Sequence, residues 1–210
     1  MKIRYLGHSC FEFTNSCGVR LITDPYTGVG YELPDGLSAE IVTVSHGHFD
    51  HNFTQAVQTE NVLNTTGAHC VQGIEICGVE SAHDPKRGAL RGKNIIFKFV
   101  MDGLTVCHMG DIGEEVTDSL VEKIGKVDVL LIPVGGTYTI DAQGAKAYMD
   151  KLAPKTVIPM HYKPADGRLD ITGIQPFLSI IGKTYASIPN GETQVNVNTQ
   201  GVLYMERIRK

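Results

Sequence analysis

Four metal-binding side chains stand within six residues of this chain, in S-H-G-H-F-D-H over residues 45–51. The β-branched, apolar run I-V-T-V-S leads straight into that motif and favours an extended chain. His46 and His48 are two apart at the end of this strand, so their imidazoles leave on the same side, about 6.6 Å apart along the backbone and within reach of one ion. Asp50 and His51 follow where the sequence reads as the start of a helix, and a bend there turns their donors toward a second position beside the first. Composition alone would produce H-x-H-x-D-H in about 6 of 10,000 such chains, so the spacing is a signal. A solvated polar loop is the plain alternative, but three imidazoles crowded at a buried strand end would then lack partners.

A site for two ions needs further donors, and the ends of other strands supply them, because loops converge there on one rim. His83 follows a strand ending E-S-A, Asp111 follows L-T-V-C-H-M-G, and His161 follows T-V-I-P-M. Two ions about 3.5 to 4 Å apart can hold a bridging water and lower its pKa toward about 7. The expected nucleophile is therefore a metal-bound hydroxide, and no serine or cysteine is required. His8 and His108 lie beside turns near the same rim, where an imidazole could polarise a substrate oxygen or hydrogen-bond a ligand. Packing is the plainer reading of both. His69, in T-T-G-A-H-C, reads as an exposed loop residue, and Thr137 and Tyr138 in G-G-T-Y-T either line a pocket or simply build a glycine-rich turn. The loop K-R-G-A-L-R-G-K directly follows the His83 motif. Solvation is its default role, yet Arg87 and Arg91 beside a metal site would attract a phosphate or carboxylate, which arginine grips bidentately.

The elements that must position these groups are mostly strands. Strand-like runs at 2–6, 10–14 and 19–23 open the chain, separated by Gly7 and by a turn at 15–18. Residues 41–45 add a strand, and 53–58 suffice only for a short helix. Strands at 74–82, 94–100 and 104–108 follow, the last two joined at Asp102-Gly103. Residues 115–124 and 141–152 place Leu120 with Ile124, and Ala145 with Met149, on single helical faces, and stop at Gly125 and before Pro154. Buried strands read at 127–134 and 156–160, then a helix near 173–181 and strands near 184–188, 193–198 and 202–208. This order fits two sheets packed face to face with helices outside, an α/β (α+β) fold in a four-layer αββα sandwich.

At 210 residues the chain can bury about 70% of its unfolded surface in one core, and residues 1–210 read as one domain. A formal charge of −4 gives no general attraction for nucleic acid or anionic membrane. The start, M-K-I-R-Y-L-G-H-S-C, turns polar too early for a secretory signal, and no apolar run reaches membrane-spanning length. Five cysteines without a C-x-x-C pair suit reduced thiols in a cytoplasm.

H-G-H-F-D-H resembles the H-x-H-x-D-H signature of the metallo-β-lactamase superfamily, and His83, H-M-G-D and I-P-M-H-Y look like its remaining metal motifs. Within that superfamily, L-G-H-S-C-F, I-T-D-P, H-M-G-D-I-G and P-V-G-G-T-Y-T-I-D resemble the ascorbate-6-phosphate lactonase-like branch, over about residues 2–162. The resemblance implies the metallo-β-lactamase fold, with one ion held by His46, His48 and His83, another by Asp50, His51 and His161, and Asp111 bridging. It also gives Asp50 the role of orienting the hydroxide or taking its proton. Aspartate at the bridge, where true β-lactamases carry cysteine, argues against antibiotic hydrolysis. Imidazole and carboxylate donors without thiolate favour two Zn²⁺, though Mn²⁺ or Fe²⁺ fits the same set. The expected partner is a small anionic lactone or phosphoester. An iron-dependent oxidoreductase is the main alternative; His48, where flavin-linked diiron proteins of similar fold carry glutamate, argues against one form of it. A nuclease or phosphodiesterase would be expected to bring a clamp domain, for which this length leaves no space, and a non-catalytic binding protein would not need so complete a ligand set.

Overall fold

A computed structural model describes residues 1–182 and 184–209. Along the chain, β1 (Lys2–Gly7), β2 (Cys10–Thr14), β3 (Arg20–Thr23), β4 (Leu37–Ser38) and β5 (Ile41–Thr43) precede a 3-10 turn at Thr54–Ala56. Strands β6 (Val57–Gln58), β7 (Val62–Leu63), β8 (Gly67–Val71), β9 (Ile74–Ala82), β10 (Lys93–Met101) and β11 (Leu104–His108) follow. Helices and strands then mix as α1 (Asp118–Ile124), β12 (Val129–Pro133), α2 (Ala142–Leu152), β13 (Thr156–Met160), α3 (Gln175–Ile180), β14 (Tyr185–Ile188), β15 (Glu192–Gln194) and β16 (Gly201–Met205).

These strands form a six-stranded sheet, β15-β1-β2-β3-β5-β7, and an eight-stranded sheet, β14-β16-β13-β12-β11-β10-β9-β8. Alternation along the first sheet decides the packing. Ile3, Tyr5, Phe11, Phe13, Leu21 and Ile41 join the core shared with the second sheet. There Phe13 meets Phe99 edge to face at 5.0 Å between ring centroids, and burying each such ring stabilises the fold by about 1.5–3 kcal/mol. Leu6, Cys10, Ile22, Val42 and Val44 face the other way, into a second cluster closed by Tyr26, Val29, Leu33, Leu37 and Val57. Irregular chain and the short β4–β6 pair thus cover that outer face, while α1 and α2 pack on the eight-stranded sheet and α3 on α2. The result is the expected mixed α/β sandwich of two packed sheets, with few helices; they flank the eight-stranded sheet, and the layer over the six-stranded sheet is irregular chain where a helical layer was expected.

Local chemistry explains where boundaries differ from expectation. Helix α1 begins at Asp118 rather than 115, because Thr117 occupies the N-cap and its hydroxyl accepts the Leu120 N–H at 3.2 Å. Asp141 caps α2 in the same way, accepting from Gly144 at 2.9 Å. No helix fills 53–58: the uncapped 3-10 turn ends at Ala56, and Val57 pairs with Leu37. Residues 67–71, expected to be loop, pair with β9 as an edge strand, and β7 adds a parallel pairing to β5. Among the described residues no helix is long and apolar enough to cross a membrane.

Candidate metal centre

The chain segments bearing the candidate donors leave β1, β5, β9, β11 and β13 at one rim. Asp111 sits at their centre. Its Oδ1 lies 3.1 Å from His51 Nε2, and its Oδ2 lies 3.2 Å from His161 Nε2, 3.4 Å from His83 Nε2 and 3.9 Å from His46 Nε2. All the candidate ligands except His46 and His48 are buried. His46 Nε2, His51 Nε2, His161 Nε2 and Asp111 Oδ1 are buried atoms without a hydrogen-bond partner. Orphaned buried polar atoms are rare, and several facing one another match the donor set of a cation. His46, His48 and His83 offer ligand atoms within 4.8 Å of one another, as do His8, Asp50, His51 and His161; His46, His51 and Asp111 form a third set that joins the first two.

The loop that carries the first four donors is a bend and turn, not the expected helix start. The His51 N–H closes it on the His48 carbonyl at 3.0 Å, and the Phe53 N–H ties it to Pro25 at 2.7 Å. Asp24, at the end of β3, then orients two of its imidazoles. Asp24 Oδ2 accepts from His51 Nδ1 at 2.8 Å and from the Ser45 hydroxyl at 2.6 Å, while Oδ1 accepts the Ser45 N–H at 2.7 Å. With its proton given to Asp24, the Ser45 hydroxyl accepts from His46 Nδ1 at 3.0 Å. Both imidazoles therefore carry hydrogen on Nδ1 and aim Nε2 toward Asp111. Burial opposes charge on Asp24, but the bonds from His51 and Ser45 and the field of His108 outweigh it and hold the carboxyl below its usual range. Burial likewise opposes charge on His51, and the facing Asp111 and Asp24 carboxylates reverse the sign, raising its pKa well above normal. A cation would displace that proton.

Asp111 is aimed by its own neighbours. Its N–H donates to Asn94 Oδ1 at 2.8 Å, and Asn94 Nδ2 donates to the Met109 carbonyl at 2.9 Å and to Ser81 Oγ at 2.8 Å. Gly110 between them has φ +55°, and a Cβ there would collide with Asn94 Oδ1 and stand 2.6 Å from Ser45 Cβ. The glycine of H-M-G-D is thus a packing requirement. His8 and His161 are both left-handed, at φ 54° and 52°, and the His161 N–H donates to the His8 carbonyl at 3.0 Å. Strain of this kind persists where surrounding contacts over-determine it.

The other sequence candidates separate by geometry. His8 Nε2 lies 3.2 Å from Asp50 Oδ2, and burial together with the nearby His161 lowers the His8 pKa to about 4, so it is neutral near pH 7 and donates to that oxygen. His108 is fully buried, with Nε2 donating to the Ser9 carbonyl at 2.8 Å and Nδ1 accepting the Gly110 N–H at 3.3 Å. Both its ring nitrogens serve the main chain. His69 sits in β8 beside the Thr65 carbonyl, away from the centre. A cavity of about 360 Å³ opens over the donors, lined by His48, Asp50, His83 and Asp111 together with Phe49, Arg91, Tyr138 and Leu169. Thr137 and Arg87 do not line it.

Asp24, Asn94 and Asp84 were not among the expected site residues. Asp24 had a signal, the aspartate of I-T-D-P just past a strand. Asn94 and Asp84 act through main-chain bonds that residue type alone does not announce.

Residues 2–161 match the Beta-lactamase superfamily domain. A UPF0173 metal-dependent hydrolase of Methanospirillum hungatei is 30% identical over 193 residues, covering 79% of this chain and 84% of that protein. One from Carboxydothermus hydrogenoformans is 28% identical over 196 residues, covering 77% and 84%. A crystal structure of a Thermotoga maritima protein, described within the metallo-beta-lactamase superfamily, superposes with a TM-score of 0.82 at 36% identity and covers 99% of both chains. The chain therefore belongs to the beta-lactamase superfamily and, within it, to the UPF0173 family of metal-dependent hydrolases.

Proposed function

We propose that this hydrolase holds two divalent ions, preferentially zinc, and cleaves a lactone or phosphoester bond in a small anionic substrate. The observation that carries this reading is the convergence of unpartnered, buried imidazole nitrogens on Asp111. His46, His48 and His83 would hold one ion, Asp50, His51 and His161 the other, with Asp111 between them. Nitrogen and oxygen donors without thiolate suit zinc, and the description of the Thermotoga maritima relative proposes zinc dependence. Bound ions of this type supply Lewis acidity and a water acidic enough to attack near neutral pH.

The chain's own groups do the rest. Asp50 borders the cavity and is held by His8. Burial opposes its charge, yet the His8 bond and the nearby His51 keep its carboxyl well below the usual range. Held ionised in this way, it orients the attacking water as a hydrogen-bond acceptor, with His8 as its positioning partner. His108 positions the turns at Ser9 and Gly110. Similarity of L-G-H-S-C-F and P-V-G-G-T-Y-T-I-D to the ascorbate-6-phosphate lactonase-like branch supports the lactone form of the substrate. The free cysteines and the shared core support a single cytoplasmic domain over residues 1–210.

Elemental analysis of purified protein, with turnover of a lactone panel and bis(p-nitrophenyl) phosphate, tests the reading. Two ions per chain and hydrolysis abolished by His46→Ala are expected. Hydrolysis indifferent to that substitution, or oxygen uptake by an iron-loaded protein that hydrolyses nothing, would overturn it.

A further inference from the structure

The basic loop after His83 divides its charges unequally. Lys86 and Arg87 are exposed, and Lys93 pairs with Glu80 at 2.9 Å. Arg91 alone of these cations lines the cavity over the metal centre, half-buried, with its guanidinium 5.5 Å from the centre of the Tyr138 ring. Asp84 fixes this arrangement. Its buried carboxylate accepts four main-chain N–H groups, from Lys86 at 2.8 Å, Gly88 at 3.1 Å, Leu90 at 2.9 Å and Arg91 at 2.8 Å. A loop of cations that only served solubility would need no such organiser. Asp84 also directly follows His83, so the turn that leaves the metal centre is the one that sets Arg91.

The rest of the cavity lining has a second property. Phe49 and Tyr138 are exposed, at 57% and 38%, and with Leu169 they give the same cavity an apolar share of its lining. Among the described residues no carboxylate forms an ion pair with Arg91, and the charged groups that share its cavity are Asp50 and Asp111, candidate metal ligands. A cation resting on an aromatic face keeps its outward N–H fork available for an oxyanion. The volume, about 360 Å³, lies at the lower end of small-ligand sites.

We infer that Arg91, steadied by Tyr138 and by the Asp84-centred loop, is the anion-recognition residue of this cavity. The substrate is then a small molecule with a carboxylate or phosphate at one end, a flat or apolar body against Phe49 and Leu169, and its scissile bond at the donor cluster. The position of the scissile bond rests on the hydrolase reading above; the anion site does not.

Two measurements on the metal-loaded full chain separate these claims. The first is calorimetric binding of benzenesulfonate, a flat anion that coordinates metals weakly. Arg91→Ala should weaken it about tenfold to hundredfold, the worth of a charged hydrogen-bond pair. Arg91→Lys should recover only part, because it keeps charge but loses the fork, and Arg87→Ala should change nothing. The second compares 4-nitrophenyl acetate with the 4-nitrophenyl monoester of succinate, which adds a carboxylate. Arg91→Ala should raise KM for the succinate ester alone, with kcat held. The inhibition constants of phenylacetate and phenyl phosphate, each compared between wild type and Arg91→Ala, identify the preferred oxyanion by the larger ratio. Benzenesulfonate binding that is absent in wild type, or equal in Arg91→Ala, overturns the proposal. Binding through Arg91 without turnover of either ester would leave it standing and count against the hydrolase reading instead.

Discussion

Asp24 accepts the Nδ1 hydrogen of His51 at 2.8 Å on the same oxygen that accepts the Ser45 hydroxyl, so one buried carboxylate fixes the tautomer of His51 directly and of His46 through Ser45. Removing its charge should therefore disturb both imidazoles. Asp24→Asn keeps the shape but replaces one acceptor oxygen with a donor, and metal affinity is expected to fall about 10- to 100-fold. Ser45→Ala, which cuts only the His46 branch, should have the smaller effect. Competition with a chromogenic chelator measures both; an unchanged affinity in Asp24→Asn would remove this residue from the centre.

Metal removal should show itself in stability as well as activity, because the buried lone pairs around Asp111 have no internal partners. An ion present at 100 times its dissociation constant adds about 2.7 kcal/mol, which in a domain of this size raises Tm by roughly 5–10 °C. Chelation should lower Tm by that amount and readdition restore it. His46→Ala should blunt the response, and a melting curve indifferent to chelator would mean that the cluster is satisfied without metal.

Much of this is legible in the amino-acid sequence, for a physical reason. A candidate ligand needs a particular atom at a particular place, so His46, His48, Asp50, His51, His83, Asp111 and His161 can be singled out by type and by following strand-forming runs, and the fold brings them to one cluster. Strands long enough to show alternation, such as β9 and β10, are readable for the same reason. Two-residue strands such as β4 and β7 have no period to read, and β8 pairs at a sheet edge with largely exposed side chains. For His108 the plainer reading, a structural imidazole, matches its contacts, but its partners could not be named because they are a carbonyl and an N–H, at Ser9 and Gly110, that every residue possesses. The asymmetry between Arg87 and Arg91 was hidden too, since it depends on how Asp84 folds the loop between them.

Gly110 offers a test of how tightly Asp111 is held. Alanine there would adopt a left-handed φ and press its methyl against Asn94 Oδ1 and Ser45. Relief requires moving either the Asn94 clamp on Asp111 or the Ser45 link to His46. Gly110→Ala is expected to lose about 1–3 kcal/mol of stability from overpacking, and to weaken metal binding even where the fold survives. Denaturant titration gives the first quantity and chelator competition the second; a fully stable variant with normal affinity would show that the clamp yields at no cost.

The acid limb of the stability curve should depend on a group remote from the metal centre. Asp128, just before β12, accepts the Thr105 N–H at 3.0 Å and pairs with Lys155 at 3.2 Å, joining the starts of β11 and β13 to its own. The Thr105 bond and then, after an opposing effect of burial, the Lys155 ammonium hold its carboxyl below the ordinary range. The folded state thus binds its proton more weakly than the unfolded chain does. Asp128 therefore contributes stability in full above the unfolded value of about 3.9, and the contribution disappears as pH falls through the lower folded value. The pair with Lys155 is partly solvated, so Asp128→Asn should cost only about 1 kcal/mol at pH 7. Thermal melts of chelator-treated wild type and Asp128→Asn from pH 7 to pH 3 should show the gap closing below about pH 4. A gap that stays constant to pH 3 would mean that the Asp128 charge, as distinct from its hydrogen-bonding shape, adds nothing to the fold.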